Sequence, residues 1–209
     1  TPITPALLSL AAAMGHPDLA VACRPVVAVL ANGDELVAPG EPCGPDQIIA
    51  SNQFAVAGLT ERAGGQALQL GIVPDDPVML QQRIDTALKH KADILVTLGG
   101  ASVGDRDLII CATLFLVPLI KKMLGLPSPD HDDTQPAVLG ADLPANDLRQ
   151  DYIRARLTRD RETGEMIATP FPVQDSSMLS VMARSDALIV RKPHEAAAKK
   201  GDPCRILLI

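Results

Sequence analysis

The chain has 209 residues, of which 47% are hydrophobic and 21% charged, with a formal net charge of −6. This composition suits a globular protein with a buried core, arranged as one large domain or two small ones. The acidity argues against non-specific nucleic-acid binding, which needs a basic face, and 2% aromatics with no Trp argue against base-stacking platforms.

Thr4-Pro5 opens a helix, a hydroxyl cap followed by Pro at the first helical position, that runs through Leu7, Leu8 and Leu10 to Met14 and stops at Gly15. Pro25 to Ala31 is a first buried strand ending in the acidic turn Asn32-Gly33-Asp34-Glu35. A Pro- and Gly-rich loop follows. A helix over Ser51 to Ala63 comes next, with Phe54 and Leu59 expected on its inner face and Gly64-Gly65 as its stop. Ala67 to Val73 is a second strand. Asp76 then caps a helix with Pro77 at its first position, and Leu80, Ile84 and Leu88 recur as an inward stripe. Ile94 to Leu98 is a third strand, read as buried on both faces.

Strands alternating with helices make a parallel α/β sheet. Right-handed crossovers bring the three strand ends to one edge, which then carries Asp34, Glu35, Asp75, Asp76, Ser102, Asp105 and Asp107. Ligands of open parallel sheets bind at such an edge. The turn Gly99 to Gly104 can offer backbone N–H groups as an anion nest. The longest apolar run, Leu108 to Ile120, is too short for a membrane span of about 20 residues. It belongs to a helix reaching Leu126 that should kink at Pro118.

Pro127 to Pro136 reads as a linker, and residues 137–209 as a second, mostly β domain. Tyr152 to Leu157 alternates, with Arg154 and Arg156 on the face opposite Ile153, Ala155 and Leu157. Arg161 to Gly164 is a hairpin turn and Glu165 to Thr169 returns. Gln174 to Ser177 caps a short helix, and Ala187 to Arg191 and Cys204 to Ile209 are two more strands. The cysteines (Cys23, Cys43, Cys111, Cys204) and the four histidines lack metal-site spacing. They fit free or buried thiols in a reducing compartment, hence a cytoplasmic protein.

These segments resemble the molybdopterin molybdenumtransferases, the MoeA and gephyrin E-domain family. The resemblance rests on residues 29–36 (VLANGDEL), Ser51-Asn52, residues 71–76 (GIVPDD) and residues 99–107 (GGASVGDRD). In the C-terminal part it rests on residues 143–146 (LPAN), 174–180 (QDSSMLS) and 186–190 (DALIV). It implies a parallel-sheet, three-layer molybdopterin-binding domain over residues 24–126, then a small barrel-like β domain. Residues 1–23 resemble the last helix of N-terminal domains that the family carries and this sequence does not. A block after Asp107 is also missing: further strands, a Pro-Gly-Lys-Pro loop and a Gly-Leu-Pro-Gly-Asn-Pro-Val loop. The 209 residues are therefore expected to be part of a longer chain joined across a gap, and an intact mass near 22.0 kDa would refute this. Asn32 stands where the family usually has Thr.

The resemblance further implies insertion of molybdenum from molybdate into adenylylated molybdopterin, with AMP leaving, Mg²⁺ assisting and a homodimer completing the cleft. No nucleic-acid or membrane partner is implied. Gly99, Gly100, Gly104 and Asp105 would then meet the pterin phosphates, although Asp105 also reads as a plain turn residue. Asp75 and Asp107 would hold Mg²⁺. Glu35 would hold the cation's water or move a proton, against the simpler reading of a solvated turn acid. Asn52 would bond the pterin or cap its helix. Ser102, Arg154 and Ser176 would receive molybdate, with a solvated strand Arg and a helix-capping Ser as the plain readings of the last two. Two other functions compete: a non-catalytic scaffold or interaction module of the same fold, and molybdopterin adenylyltransferase. The C-terminal β domain counts against the latter.

Overall fold

The computed structural model describes residues 1–99, 108–126, 133–174 and 179–209. The chain divides into two compact units, Thr1–Gly104 with Cys111–His131 and Asp105–Ile110 with Asp132–Ile209.

The first unit opens on helix α1 (Pro5–Ala13), whose first turn is held by Leu7 N–H donating to Thr4 Oγ1 at 3.3 Å. None of its residues is buried. The sheet is built from β1 (Val26–Asn32), β4 (Gln66–Val73) and β5 (Ile94–Leu98). All its pairings are parallel and the order is β4-β1-β5. Between β1 and α2 (Asn52–Arg62) lies a two-stranded ribbon, β2 (Leu36–Val37) with β3 (Ile48–Ile49). Helix α3 (Pro77–Lys89) crosses from β4 to β5.

β1 is the strand covered on both faces: Val27 to Leu30 are fully buried and Ala31 is 2% exposed. One face packs on α3, where Ala28, Leu30, Leu70 and Val73 meet Ala87, with Leu80 beside them. The inward stripe of α3 is thus Leu80, Ile84 and Ala87, and Leu88 points to solvent at 66% exposure. α2 buries Gln53, Val56, Ala57, Leu59 and Thr60, whereas Phe54 is exposed.

β5 is not buried on both faces. It lies at the sheet edge, alternates half-buried and exposed residues, and shows Leu95 to solvent. An edge strand has one neighbour, so its apolar run is only partly covered.

The apolar helix is made of α4 (Leu108–Cys111), a π-helical segment over Ala112–Leu116, and α5 (Val117–Met123). Pro118 sits in the first turn of α5, where its missing N–H is tolerated. The irregularity expected at Pro118 takes the form of a widened π turn just before it. α5 and the π segment pack on α2, while Phe115, Leu119 and Met123 are exposed.

The second unit is a closed five-stranded barrel of order β10-β6-β8-β7-β9. Its strands are β6 (Gln135–Leu139), β7 (Asp151–Arg159), β8 (Met166–Pro170), β9 (Ala187–Arg191) and β10 (Pro203–Leu208), with the short helix α6 (Leu179–Met182) before β9. Pairing is antiparallel except between β6 and β8. Leu139, Ala155, Ala168, Ala187, Ile189 and Ile206 fill the interior. The β7–β8 turn is held by Asp160 Oδ1, which accepts from Glu162 and Thr163 N–H at 2.8 Å. β6 begins at Gln135, inside the stretch that reads as linker. No helix among the described residues is long and apolar enough to cross a membrane.

Candidate functional site

The parallel register brings the three strand ends level. Asn32 pairs with Val73, and Ala31 with Leu98. The next residues out are Gly33, Pro74 and Gly99, and the acidic turn, Asp75 and the start of the glycine turn emerge on one edge. α3 starts at this edge too, because it follows β4 directly, and so does α2 beyond the short ribbon. Helix N-termini favour anions there.

Each acidic group has a defined support. The turn after β1 closes through Leu36 N–H donating to Gly33 O at 3.2 Å, and Gly33 N–H donates to Val73 O at 3.1 Å, tying the ends of β1 and β4. Glu35 is fixed through its backbone, since its carbonyl accepts from Ile48 N–H at 2.8 Å. Its carboxylate is exposed and folds back over Gly33; a Cβ there would overlap it, 2.7 Å from Cδ. Asp75 is held twice: Oδ1 accepts from Asn32 Nδ2 at 2.6 Å, and its N–H donates to Asp34 Oδ1 at 3.0 Å. The helix cap is Asp76, whose Oδ1 accepts from Val78 and Met79 N–H at 2.8 and 2.9 Å. Asp75 is therefore free of the capping role. Asn52 is the first residue of α2, is exposed, and makes no side-chain hydrogen bond among the described residues, so it does not cap the helix.

Gly99 is the described start of the glycine turn. Its φ of +124° lies where L side chains are strained, and it packs on the backbone of Asn32. Gly100, Ser102, Gly104, Asp105 and Asp107 lie outside the described residues, as does Ser176.

In the barrel, Arg154 is not a solvated strand residue. It is 3% exposed, and its Nη1 donates to Gln174 O at 2.7 Å. Arg156 is the exposed member of the pair. The Gln174 side chain also accepts from Arg154 N–H at 2.9 Å and donates to Phe171 O at 2.7 Å. Gln174 thus extends the edge of β7, and the rest of the cap expected over Gln174 to Ser177 lies outside the described residues. A polar residue four places beyond a strand gives no local sign of this role.

No group of three or more His, Cys, Asp or Glu that could hold a metal ion occurs among the described residues. The donors at the edge, Asp34, Glu35 and Asp75, offer only oxygen ligands. Such a set suits Mg²⁺, which takes one or two carboxylates and completes its shell with water and substrate phosphate. It does not suit a softer metal that needs thiolate or imidazole.

Residues 28–124 match the family described as the probable molybdopterin-binding domain, and residues 136–209 match the MoeA C-terminal region, domain IV. The chain belongs to the MoeA family. It is 40% identical over 109 residues to a molybdopterin molybdenumtransferase of Nostoc sp., which covers 52% of this chain and 25% of that protein. It is 26% identical over 254 aligned positions to the molybdopterin molybdenumtransferase of Bacillus subtilis, covering 100% of this chain and 58% of that one. More aligned positions than residues means that the Bacillus relative carries residues this chain lacks. The chain thus spans well under two thirds of either relative. The crystal structure of a molybdopterin biosynthesis moeA protein from Pyrococcus horikoshii has the same fold, with a TM-score of 0.78, 20% identity, and coverage of 99% of this chain and 60% of that one.

Proposed function

We propose that this chain acts in molybdenum cofactor biosynthesis as a molybdopterin molybdenumtransferase. It would insert molybdenum from molybdate into adenylylated molybdopterin and release AMP, in the cytoplasm and as a homodimer. The observation that carries this reading is the single sheet edge where the Asn32–Glu35 turn, Asp75 and Gly99 emerge together, in a chain whose two units match the molybdopterin-binding and C-terminal domains of the family.

On this reading the glycine turn from Gly99, with Gly100, Gly104 and Asp105, meets the phosphates of the adenylylated pterin through backbone N–H groups. Asp75 and Asp107 hold Mg²⁺, which offsets negative charge on the phosphates when bound. Glu35 orients water or moves a proton, and Asn52 meets the pterin. Ser102, Arg154 and Ser176 serve the tetrahedral molybdate dianion, which needs hydroxyl and guanidinium donors.

The test is AMP release and molybdenum incorporation, followed by chromatography and elemental analysis. Adenylylated molybdopterin, molybdate and Mg²⁺ are supplied to the full-length protein and to its Glu35→Ala and Asp107→Ala variants. Loss of a general acid or base costs about 10²–10⁴-fold, so Glu35→Ala should fall by that much, and Asp107→Ala should lower turnover through weakened Mg²⁺ binding. Full turnover in both would remove the site assignment. Pterin binding without AMP release by the unsubstituted full-length protein would favour a scaffold role.

A further inference from the structure

Asn32 breaks several local rules at once. Asn is a poor strand residue, yet it ends β1, the central strand. Its side-chain Oδ1 is buried and has no hydrogen-bond partner among the described residues. Buried amide oxygens are nearly always paired, and an exception asks for a reason. The backbone of Gly99 also packs on its carbonyl. Such departures gather at functional positions, where another requirement outweighs local fitness.

The requirement is visible in the other half of the amide. Nδ2 donates to Asp75 Oδ1 at 2.6 Å, across 43 residues of sequence. Turning the amide over would set its oxygen against the carboxylate, so the orientation is decided by Asp75, and Oδ1 is left unpaired as a consequence. Asp34 adds the second hold, accepting the Asp75 backbone N–H at 3.0 Å. Asp75 is an exposed carboxylate, and an exposed Asp ordinarily samples several staggered rotamers. Here one oxygen is tied down, and Oδ2 makes no hydrogen bond among the described residues.

We propose that Asn32 is a positioning residue for Asp75: its amide holds one carboxylate oxygen so that the other is presented, in one orientation, to a divalent cation and the substrate phosphates. This rests on the reading of Asp75 as a cation ligand in the transferase. Asn32 need not touch the reacting atoms; it acts by removing the rotamer freedom of a group that does. Groups that orient metal ligands in this way typically matter about 10–100-fold for metal affinity or activity.

The experiment uses the full chain, labelled for NMR, with Asn32→Leu, which keeps the side-chain shape and removes the donor, and Asn32→Ala. Three-bond couplings to Asp75 Cγ report its χ1 directly. They should show one rotamer in the unsubstituted chain and averaging in both variants, with the remaining backbone resonances in place. Averaged couplings in the unsubstituted chain overturn the inference without any variant having to fold. A single rotamer retained in either variant overturns it as well. In the turnover assay with Mg²⁺, Asn32→Leu should lower kcat by about 10–100-fold with KM for the adenylylated pterin within about twofold. An unchanged kcat alongside averaged couplings overturns the positioning role. No turnover by the full-length protein refutes the transferase reading, and the hold on Asp75 then stands or falls on the couplings alone.

Discussion

Replacing Gly99 by alanine places a methyl group where the backbone of Asn32 already is. The new Cβ would overlap the Asn32 carbonyl oxygen and lie 2.8 Å from its carbonyl carbon. Ordinary carbon–oxygen contacts are about 3.3–3.6 Å. The obstacle is main chain, so no side-chain rotation relieves it. Two costs combine. A φ of +124° is strained for any L side chain, at about 1–3 kcal/mol. Forcing the end of β5 away from β1 is an overpacking change of about 1–3 kcal/mol. The sum, about 2–6 kcal/mol, is a large share of the ~5–15 kcal/mol that holds a domain together. Gly40→Ala separates the two terms, because Gly40 has a φ of +92° with nothing within 4 Å of the added carbon. Thermal unfolding followed by circular dichroism should show Gly99→Ala melting at least about 8 °C below the unsubstituted chain, and well below Gly40→Ala. Hydrogen exchange should speed up first in the peptides covering Val26–Asn32 and Ile94–Leu98. If Gly99→Ala melts within about 2 °C of Gly40→Ala, the close approach of the two strand ends is wrong.

In the barrel, Arg191 is 2% exposed, and its Nη2 donates to Pro144, Glu195 and Ala196 carbonyls at 3.2, 3.3 and 2.7 Å, while Nε pairs with Glu195 Oε1 at 3.1 Å. Arg191→Ala should cost about 2–3 kcal/mol in urea unfolding, and Arg191→Lys should recover less than half, since an ammonium cannot span a fork of carbonyls. Burial, with the nearby Glu195 charge, pushes the Cys204 thiol up to about 11, so a disulfide reagent at pH 8 should label the exposed Cys23 and Cys43 before Cys204. Backbone N–H donors, from Ala67 to Glu61, from Lys200 to Asp142, and from Thr163 and Glu162 to Asp160, hold these three carboxyls below their ordinary range. The unfolded chain then binds more protons in acid, so their contribution is full above the ordinary carboxylate range and is lost as pH falls through the lowered folded values. Glu61→Gln should flatten part of that acid limb in a pH series of melting temperatures.

Several elements were legible because their causes are local. Thr4-Pro5 and Asp76-Pro77 specify helix starts through one side-chain oxygen and one fixed φ, and both helices begin there. Ile94 to Leu98 and Ala187 to Arg191 are bounded by turn residues, and their ends match. The acidic edge followed from alternation of strands and helices alone. Burial was less legible. Leu59 and Leu80 face inward as expected, but Phe54 and Leu88 point to solvent, because the helix face that fits the sheet includes Ala57 and Ala87 instead. Arg154 lies on the face of β7 opposite Ala155, as the alternation places it, but Gln174 helps cover that face and Arg154 is buried.

By itself, then, the sequence determined where α1 and α3 start and where β5 and β9 lie, that the first sheet is parallel, and that carboxylates and a glycine turn collect at its carboxyl edge. Each of these depends on interactions within a few residues along the chain, or on a period that the chain itself carries. Only the tertiary structure decided that β5 is an edge strand, that Arg154 and Arg191 are buried, and that Asn32 holds Asp75. Those outcomes depend on which strand lies beside which, and in what register. A contact between positions 43 residues apart leaves no periodic trace at either end.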